Sequence, residues 1–277
     1  MTRVVLSERL VPNIFHLVVD APDIARSARP GQFVMVIPDE TGERVPINLA
    51  DWDKNQGTID LIFMNLGVST RKLARFKTGD SLQAVVGPLG RPAEIGSFGH
   101  VLLVGGCYGL AGLYPLAREF KQKGNKVTFL AEGRDEAFIF WEDKIRKVSD
   151  DFQQVLRADC FASGHDLGRI IGQIKEASQE LSRVVVMGCS YLLFIVSNIT
   201  RELNLKTMVN LNPIMIDGTG MCGACRVTVN GQTHFACVDG PEFDGHGVDW
   251  TEYFNRRRAF LRQEELALAG YLNKTLD

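Results

Sequence analysis

The chain has 277 residues, 45% of them hydrophobic, and a formal net charge of −2 at pH 7. This length predicts two or three domains, and the hydrophobic content excludes a chain that is disordered throughout. The small net charge argues against nucleic acid as a partner, and no apolar run reaches the roughly 18 residues that a membrane-spanning helix needs. Because the N-terminus reads as a strand and not as a signal peptide, we expect a cytoplasmic protein with reduced thiols.

Residues 1–97 are predicted to form an antiparallel β-barrel. Short alternating runs of apolar residues are separated by turn signals such as Pro30-Gly31 and Gly79-Asp80. Several short strands at this spacing are typical of a closed antiparallel sheet. One short helix is predicted over residues 69–76.

Residues 98–205 are predicted to form a doubly wound α/β domain. The run 101–106 is apolar and ends in glycines, which is typical of a buried parallel strand. Strands that alternate with helices predict a parallel sheet with helices on both faces. The other predicted strands cover residues 126–131, 152–157 and 183–188, and the predicted helices cover residues 112–123, 136–148 and 170–180.

Residues 206–277 are predicted to hold a metal-binding loop, a hairpin and a helical tail. Residues 217–225 read Asp-Gly-Thr-Gly-Met-Cys-Gly-Ala-Cys, and Cys237 follows. Asp217 stands where a plant-type C-x4-C-x2-C…C pattern has its first cysteine. We therefore interpret the loop as a [2Fe-2S] site with four ligands, namely Asp217, Cys222, Cys225 and Cys237.

Other interpretations of this loop remain open. His234 would suit a zinc site, although a second pair of zinc ligands is missing. A disulfide is a further alternative, but nothing in the chain suggests secretion. Glu242 or Asp239 could replace Asp217 as the fourth ligand.

The rest of the C-terminal part supports this division. Asn230-Gly231 between two short apolar runs predicts a hairpin with a type I′ turn, and residues 251–273 are predicted to be helical. Cys107, Cys160 and Cys189 lack ligand spacing and are interpreted as small packing residues.

The order of a barrel, a nucleotide-type sheet and a cysteine loop resembles the ferredoxin–NADP reductase superfamily over essentially the whole chain. Within it, the chain is similar to the small subunits of NADH-dependent ferredoxin:NADP oxidoreductases, also called sulfide dehydrogenases. The related electron-transfer subunits of dihydroorotate dehydrogenase carry four cysteines, whereas the first branch has aspartate at the first ligand position. Asp217 and the segment 235–246 therefore favour the first branch.

The resemblance implies an FAD site on the barrel. In the superfamily an Arg-x-(Tyr/Pro)-x-(Ser/Thr) segment holds the flavin, and residues 44–48 read Arg-Val-Pro-Ile-Asn. Arg44 would pair with a flavin phosphate. Pro46 and Ile47 would line the ring. Asn48 would hydrogen-bond the ring where relatives have a hydroxyl.

A second implied flavin segment lies around the predicted short helix. Gly67, Ser69 and Thr70 would direct backbone N–H groups toward the pyrophosphate. Phe63 would stack on a ring of the cofactor.

The resemblance also implies an NAD(H) site, although its motifs depart from the superfamily pattern. The expected Gly-Gly-Gly-x-Gly-x-Ala-Pro loop reads Gly-Gly-Cys-Tyr-Gly-Leu-Ala-Gly at residues 105–112. Gly106 and Gly109 would let the backbone approach a pyrophosphate. Cys189 would border the nicotinamide, and Arg134 would face a phosphate or pair with a nearby acid.

Together these features predict an electron-transfer flavoprotein subunit that moves electrons between NAD(H), FAD and a [2Fe-2S] cluster. The cofactors perform the chemistry, so no side chain is predicted to be catalytic. The resemblance implies a larger partner with a second FAD and [4Fe-4S] clusters, linked to ferredoxin and NADP(H). The alternatives are a relay subunit that binds no nicotinamide and a dihydroorotate-type subunit.

Overall fold

The computed structural model describes residues 1–156 and 164–274. Cys160 and position 157 of the predicted third strand lie outside the described residues. The described strands form one seven-stranded sheet, one six-stranded sheet and one two-stranded hairpin.

The first sheet is antiparallel throughout, in the order β6-β1-β2-β5-β4-β3-β7, and confirms the predicted barrel. Alternate residues of its strands face the core, as Ile59, Leu61 and Phe63 do. The predicted helix over residues 69–76 is present but ends earlier. The strands are β1 (Thr2–Val11), β2 (Ile14–Asp20), β3 (Phe33–Ile37), β4 (Val45–Asp53), β5 (Thr58–Met64), β6 (Ser81–Leu82) and β7 (Ala84–Leu89), and the helices are α1 (Pro22–Ser27) and α2 (Val68–Leu73).

The six-stranded sheet confirms the predicted doubly wound α/β arrangement. Its strands are β8 (His100–Gly106), β9 (Lys126–Gly133), β10 (Asp151–Leu156), β11 (Leu181–Met187), β12 (Lys206–Asn210) and, after the hairpin of β13 (Arg226–Val229) and β14 (Gln232–Phe235), β15 (Glu242–Asp244). Their order is β10-β9-β8-β11-β12-β15, parallel except for β15. The helices of this half are α3 (Gly109–Gln122), α4 (Glu142–Arg146), α5 (Gly164–Ala177), α6 (Ser190–Glu202), α7 (Trp250–Arg257) and α8 (Leu261–Lys274).

One predicted helix is wrong. Residues 136–148 form a 3-10 turn at Glu136–Phe138 and the short α4, and Trp141 between them is left-handed with a φ of 59°. The Trp141 ring packs edge-on against Tyr114 at a centroid distance of 5.7 Å. Tertiary packing of this aromatic residue outweighs the local helical preference.

The C-terminal part does not form a separate sheet with a core of its own. The strands β12 and β15 both lie in the six-stranded sheet, and neither they nor α6 was predicted. Val227, Cys237 and Tyr253 share one buried cluster with the α/β core. The boundary near residue 205 therefore stays a prediction.

The strand order reverses between β8 and β11, which places a crevice at their carboxyl ends. The helix α3 leaves this crevice and packs against β4 of the barrel. Contact is close, since a Cβ atom at Gly112 would lie 3.2 Å from Asn48 Nδ2. The crevice therefore opens directly onto the barrel.

Charged side chains hold the barrel against the α/β half. Asp51 of β4 contacts Arg118 of α3 at 2.7 Å and Lys144 of α4 at 2.9 Å. Burial raises the pKa of the Asp51 carboxyl, but the two cations outweigh burial and hold that pKa below its usual range. The ring of His16 on β2 meets Trp141 edge-on at 5.7 Å beside this cluster.

We expect His16 to make stability depend on pH. Its Nδ1 contacts Glu8 at 2.9 Å and its Nε2 contacts Asp60 at 2.7 Å. Burial alone would lower the pKa of His16, but the two carboxylates outweigh burial and raise it above 6.5. Because the folded pKa exceeds the unfolded one, the stabilisation is complete below about pH 6.5 and is lost as pH rises through the raised pKa.

The measurement is the thermal unfolding midpoint from about pH 6 to about pH 8.5. It should fall more steeply with pH in the parent than in His16→Gln. A His234→Gln control should keep the parental slope. Equal slopes for the parent and His16→Gln would contradict this account.

Candidate functional site

A cavity of about 360 Å³ lies between the barrel and the crevice of the sheet. We call it the ring cavity. Barrel residues form one wall and residues that follow β8, β11 and β12 form the other. The predicted flavin residues that line it are Arg44, Pro46, Ile47, Asn48, Phe63 and Thr70, and the facing wall includes Tyr108, Met187, Gly188, Asn210, Leu211 and Asn212.

The ring cavity suits a planar ring with polar edges. Asn48 Nδ2 lies 3.5 Å from Asn210 Oδ1 and 4.0 Å from Met187 Sδ. The Nδ2 atom of Asn210 is buried and has no hydrogen-bond partner. An unsatisfied buried amide is costly, so a bound acceptor at this point would stabilise the site. A flavin ring has such acceptors, and these residues fit it.

The predicted phosphate segment divides into two parts. Arg44 is exposed at the mouth of the ring cavity. The Thr70 hydroxyl accepts hydrogen bonds at 3.0 Å from the N–H groups of Leu66 and Gly67. Those backbone donors are therefore engaged within the turn. Gly67 and Ser69 lie beside the cavity at the start of α2 and do not line it.

Glycine is required where the loop after β8 meets the end of β11. A Cβ atom at Gly109 would collide with the Met187 carbonyl and lie 2.7 Å from Gly188 N. Gly188 itself has a φ of 149°. The close approach lets α3 begin directly at the end of the strand.

Tyr108 fixes the conformation of this loop. Its hydroxyl donates to Gly188 O at 3.1 Å and accepts from Asn212 Nδ2. Asn212 Oδ1 in turn accepts from the Tyr253 hydroxyl at 2.6 Å. Burial raises the pKa of the Tyr108 phenol well above its usual range, so the phenol stays neutral. The loop is thus hydrogen-bonded to the C-terminal part of the chain.

The other predicted nucleotide residues surround the crevice without lining the ring cavity. Gly106 is buried, and a Cβ atom there would lie 2.8 Å from Leu192 Cδ2. Cys189 caps α6 and accepts the Leu192 N–H at 3.4 Å. Arg134 is exposed just after β9. The structure does not bring these residues together with the barrel residues.

The predicted cluster loop brings two of its thiols together. Cys225 Sγ and Cys237 Sγ are 3.3 Å apart and buried, whereas Cys222 is exposed. Asp217 accepts the N–H groups of Thr219 and Cys222, each at 2.8 Å. Asp217, Cys222 and Cys225 thus share one loop, which turns through left-handed glycines at positions 218, 220 and 223, and Cys237 returns to it directly after the hairpin of β13 and β14.

The donor set fits an iron–sulfur centre, although it is not in a ligating arrangement. Within residues 1–156 and 164–274, no group of three His, Cys, Asp or Glu side chains is positioned to hold a metal ion. Burial and the neighbouring Cys225 raise the pKa of Cys237 to about 12. A bound cation would reverse this preference, because thiolates are the ligating form and soft metals favour them.

The surroundings of the alternative ligands differ, and Glu242 Oε2 is buried without a hydrogen-bond partner. Asp239 accepts the Phe235 N–H at 2.8 Å and lies 3.4 Å from Arg91. Burial raises the pKa of Glu242 to about 7. The positive charge of Arg183 is the strongest effect that lowers this pKa. The His234 ring packs at 5.7 Å from Phe243. Asp217 stays the fourth ligand that the sequence pattern predicts, because it stands at the first ligand position of the C-x4-C-x2-C…C pattern.

Sequence reasoning missed part of this site. Asn210, Asn212, Tyr253 and Glu264 were not singled out, yet they line the ring cavity or support its wall. The signal for the two asparagines was present, since polar residues directly after a buried parallel strand often face a ligand crevice. Nothing local marks Tyr253 or Glu264.

Comparisons with known proteins place the chain in a family. The model of the iron–sulfur cluster binding domain of dihydroorotate dehydrogenase B matches residues 212–249. A Thermotoga maritima homologue of the dihydroorotate dehydrogenase B (NAD(+)) electron-transfer subunit is 37% identical over 98% of this chain and 96% of its own length. The chain belongs to this electron-transfer subunit family. The corresponding subunit of Shouchella clausii is 30% identical over 83% of this chain and 90% of its own length.

A solved structure of this family has the same architecture. That structure is of the NADH-dependent reduced ferredoxin–NADP oxidoreductase and was described for its insights into flavin-based electron bifurcation. It is 35% identical, covers 98% of both chains and has a TM-score of 0.89. The predicted resemblance, fold class and oxidoreductase electron-transfer role are confirmed. In the part of this electron-transfer subunit that the structure describes, no helix is long and apolar enough to cross a membrane.

We expect Gly109→Ala to disrupt the crevice. The added methyl group collides with the Met187 carbonyl, so one backbone segment must move. The thermal unfolding midpoint should fall by roughly 4–8 °C, which corresponds to about 2 kcal/mol. The matched control is Gly172→Ala on α5, where nothing lies within 4 Å of the new methyl group. The control should change the midpoint by no more than about 2 °C, and equal losses would contradict the proposed close approach.

Proposed function

We propose that this subunit holds FAD in the ring cavity and a [2Fe-2S] cluster in the loop of residues 217–237, and exchanges electrons with NAD(H). One observation carries this proposal. The segment that lines the ring cavity, residues 210–215, runs directly into Asp217 at the start of the cluster loop. The loop also packs on the barrel, since a Cβ atom at Gly218 would lie 2.8 Å from Met35 Cγ and 3.0 Å from Leu89 Cδ1. A flavin and a cluster would therefore be neighbours.

The protein's own residues position and insulate these groups. FAD accepts two electrons together and releases them singly, and a [2Fe-2S] cluster accepts one at a time. Phe63 and Ile47 give the ring cavity an apolar wall that excludes water. Asn48 and Asn210 present amide groups to the ring edge, and such hydrogen bonds tune a flavin potential.

The ligands we propose for the cluster are Asp217, Cys222, Cys225 and Cys237. A carboxylate oxygen in place of a thiolate would change the cluster potential, because potentials follow ligand type and hydrogen bonding.

The assembly we propose is a hetero-oligomer with a larger flavoprotein that holds a second FAD and [4Fe-4S] clusters and links NADP(H) to ferredoxin. The structural relative described for electron bifurcation supports this choice, since it matches this chain over 98% of both lengths. A dihydroorotate-type partner is the alternative that the Shouchella clausii relative favours.

One observation favours a relay subunit without nicotinamide chemistry. Tyr108 is a bulky residue at the variable position of the glycine loop and is held against Gly188 O and Asn212 at the wall of the ring cavity. A nicotinamide ring that stacks on the flavin would have to share this position with the Tyr108 side chain or displace that side chain.

Anaerobic stopped-flow absorbance separates the two functions. The holoprotein is mixed with NADH or NADPH, and dithionite is the control reductant. We expect NADH to bleach the flavin band, followed by reduction of the cluster. If neither nucleotide bleaches the flavin while dithionite reduces both groups, the chain is an internal electron relay.

The cluster assignment predicts specific losses of iron. Cys225→Ala and Cys237→Ala should lose nearly all of the about two irons per chain, since each removes a ligand of a four-ligand site. Cys107→Ala is the matched cysteine control and should retain them. Asp217→Cys should keep the iron and change the electron paramagnetic resonance spectrum of the reduced cluster.

The result that would contradict the assignment is an unchanged spectrum in Asp217→Cys. If the spectrum of Asp217→Cys is unchanged and that of Glu242→Gln or Asp239→Asn is altered, the residue with the altered spectrum is the fourth ligand.

A further inference from the structure

A second cavity, of about 970 Å³, lies between the barrel and the C-terminal helix α8. We call it the tail cavity. Nothing in the predicted cofactor motifs accounts for the α8 side of it. Its lining residues are Ile37, Asp39, Glu40, Gly42, Glu43, Arg44, Gln83, Ile214, Met215, Ile216, Phe260, Gln263, Glu264 and Ala267.

The tail cavity is continuous with the ring cavity. Glu43, Arg44, Ile214, Met215 and Glu264 line both. Arg44 thus stands at the junction of the two spaces. A guanidinium at a junction suits the pyrophosphate that joins the two halves of a dinucleotide. With a flavin ring in the ring cavity on one side of Arg44, the part of the dinucleotide beyond the pyrophosphate would lie in the tail cavity on the other side.

The lining of the tail cavity suits an uncharged group rich in hydroxyls with a flat apolar face. Carboxylates at Glu40, Glu43 and Glu264 can accept hydrogen bonds from hydroxyl groups. Ile37 and Phe260 supply apolar contact surface. An adenosine has these properties, and the volume lies in the ~300–1,000 Å³ range of ligand pockets.

The helix α8 is held over this cavity from both sides. It contacts α2 of the barrel, and the guanidinium of Arg75, just after α2, lies 5.3 Å from the centre of the Tyr271 ring. The preceding helix α7 is fixed by Arg256, which donates to Arg226 O at 3.0 Å and to Ala224 O at 3.1 Å. Phe260 stays 48% exposed, so it is not used to fill the protein core.

We propose that α8 forms the wall of the adenosine half of the FAD site, with Glu264 accepting a ribose hydroxyl and Phe260 contacting the adenine. This inference rests on the proposed binding of FAD in the ring cavity. It assigns the C-terminal tail to flavin selection, because FMN lacks the adenosine that the tail cavity would receive.

The experiment compares FAD with FMN. Full-length protein is stripped of flavin, and the dissociation constant of each flavin is measured by quenching of flavin fluorescence under anaerobic conditions. The variants are Glu264→Ala and the double variant Phe260→Ala/Glu264→Ala. Glu265→Ala is the matched control, since its side chain follows Glu264 on α8 and lines neither cavity. Thermal unfolding of the flavin-free proteins checks that each variant is folded.

We expect Glu264→Ala to weaken FAD about 5-fold and the double variant at least about 10-fold, with FMN changed less than about twofold. Glu265→Ala should leave both flavins unchanged. Arg44→Ala should weaken FAD and FMN together, because both carry the phosphate.

Three results would overturn the inference. Unchanged FAD binding in the double variant, or equal weakening of FAD and FMN binding, would rule out the adenosine contact. Neither result would argue against flavin binding in the ring cavity. Weakened binding of NADH with unchanged FAD would assign the tail cavity to the nicotinamide nucleotide. A parent protein that binds neither flavin would instead overturn the proposed function itself.

Discussion

The structure depends on the approach of one backbone segment to another at the end of β11. Gly109 has no side chain, so the loop after β8 lies directly on the carbonyl of Met187. This contact lets α3 start at the strand end and run against β4 of the barrel. The crevice of the sheet and the predicted flavin residues of the barrel therefore face one another across a single cavity. A side chain larger than hydrogen at this point would force one of the two backbone segments to move.

The C-terminal part completes this cavity as well as holding the cluster loop. Asn212 accepts a hydrogen bond from the Tyr253 hydroxyl and donates one to the Tyr108 hydroxyl. One side chain thus connects the cluster-binding part to the glycine loop. The strand β15 also extends the parallel sheet in the antiparallel sense. The iron–sulfur domain is thus packed against both of the other parts, which suits a chain whose redox centres must keep fixed separations.

Much of the fold was predictable because its signals are local. The run 101–106 with its glycines marks β8, and Asn230-Gly231 marks the hairpin, where both residues have positive φ. The helix predicted at 136–148 failed because Trp141 packs on Tyr114 and His16, a contact between distant residues that no local pattern contains. The strand β15 was missed because three residues carry too weak a pattern to distinguish an edge strand from a loop.

By itself, the sequence determined the order of the parts, the cysteines predicted to offer thiolates to a metal, and the predicted flavin segment beginning at Arg44. Those features follow from spacing and residue type along the chain. Only the tertiary structure decided that Asn210 and Tyr108 share the ring cavity and that Glu264 of the tail lines the same two cavities as Arg44 of the barrel. The reason is physical, since such contacts join residues more than 100 positions apart and arise from packing of whole elements. Periodicity records which face an element buries, but not which other element covers it.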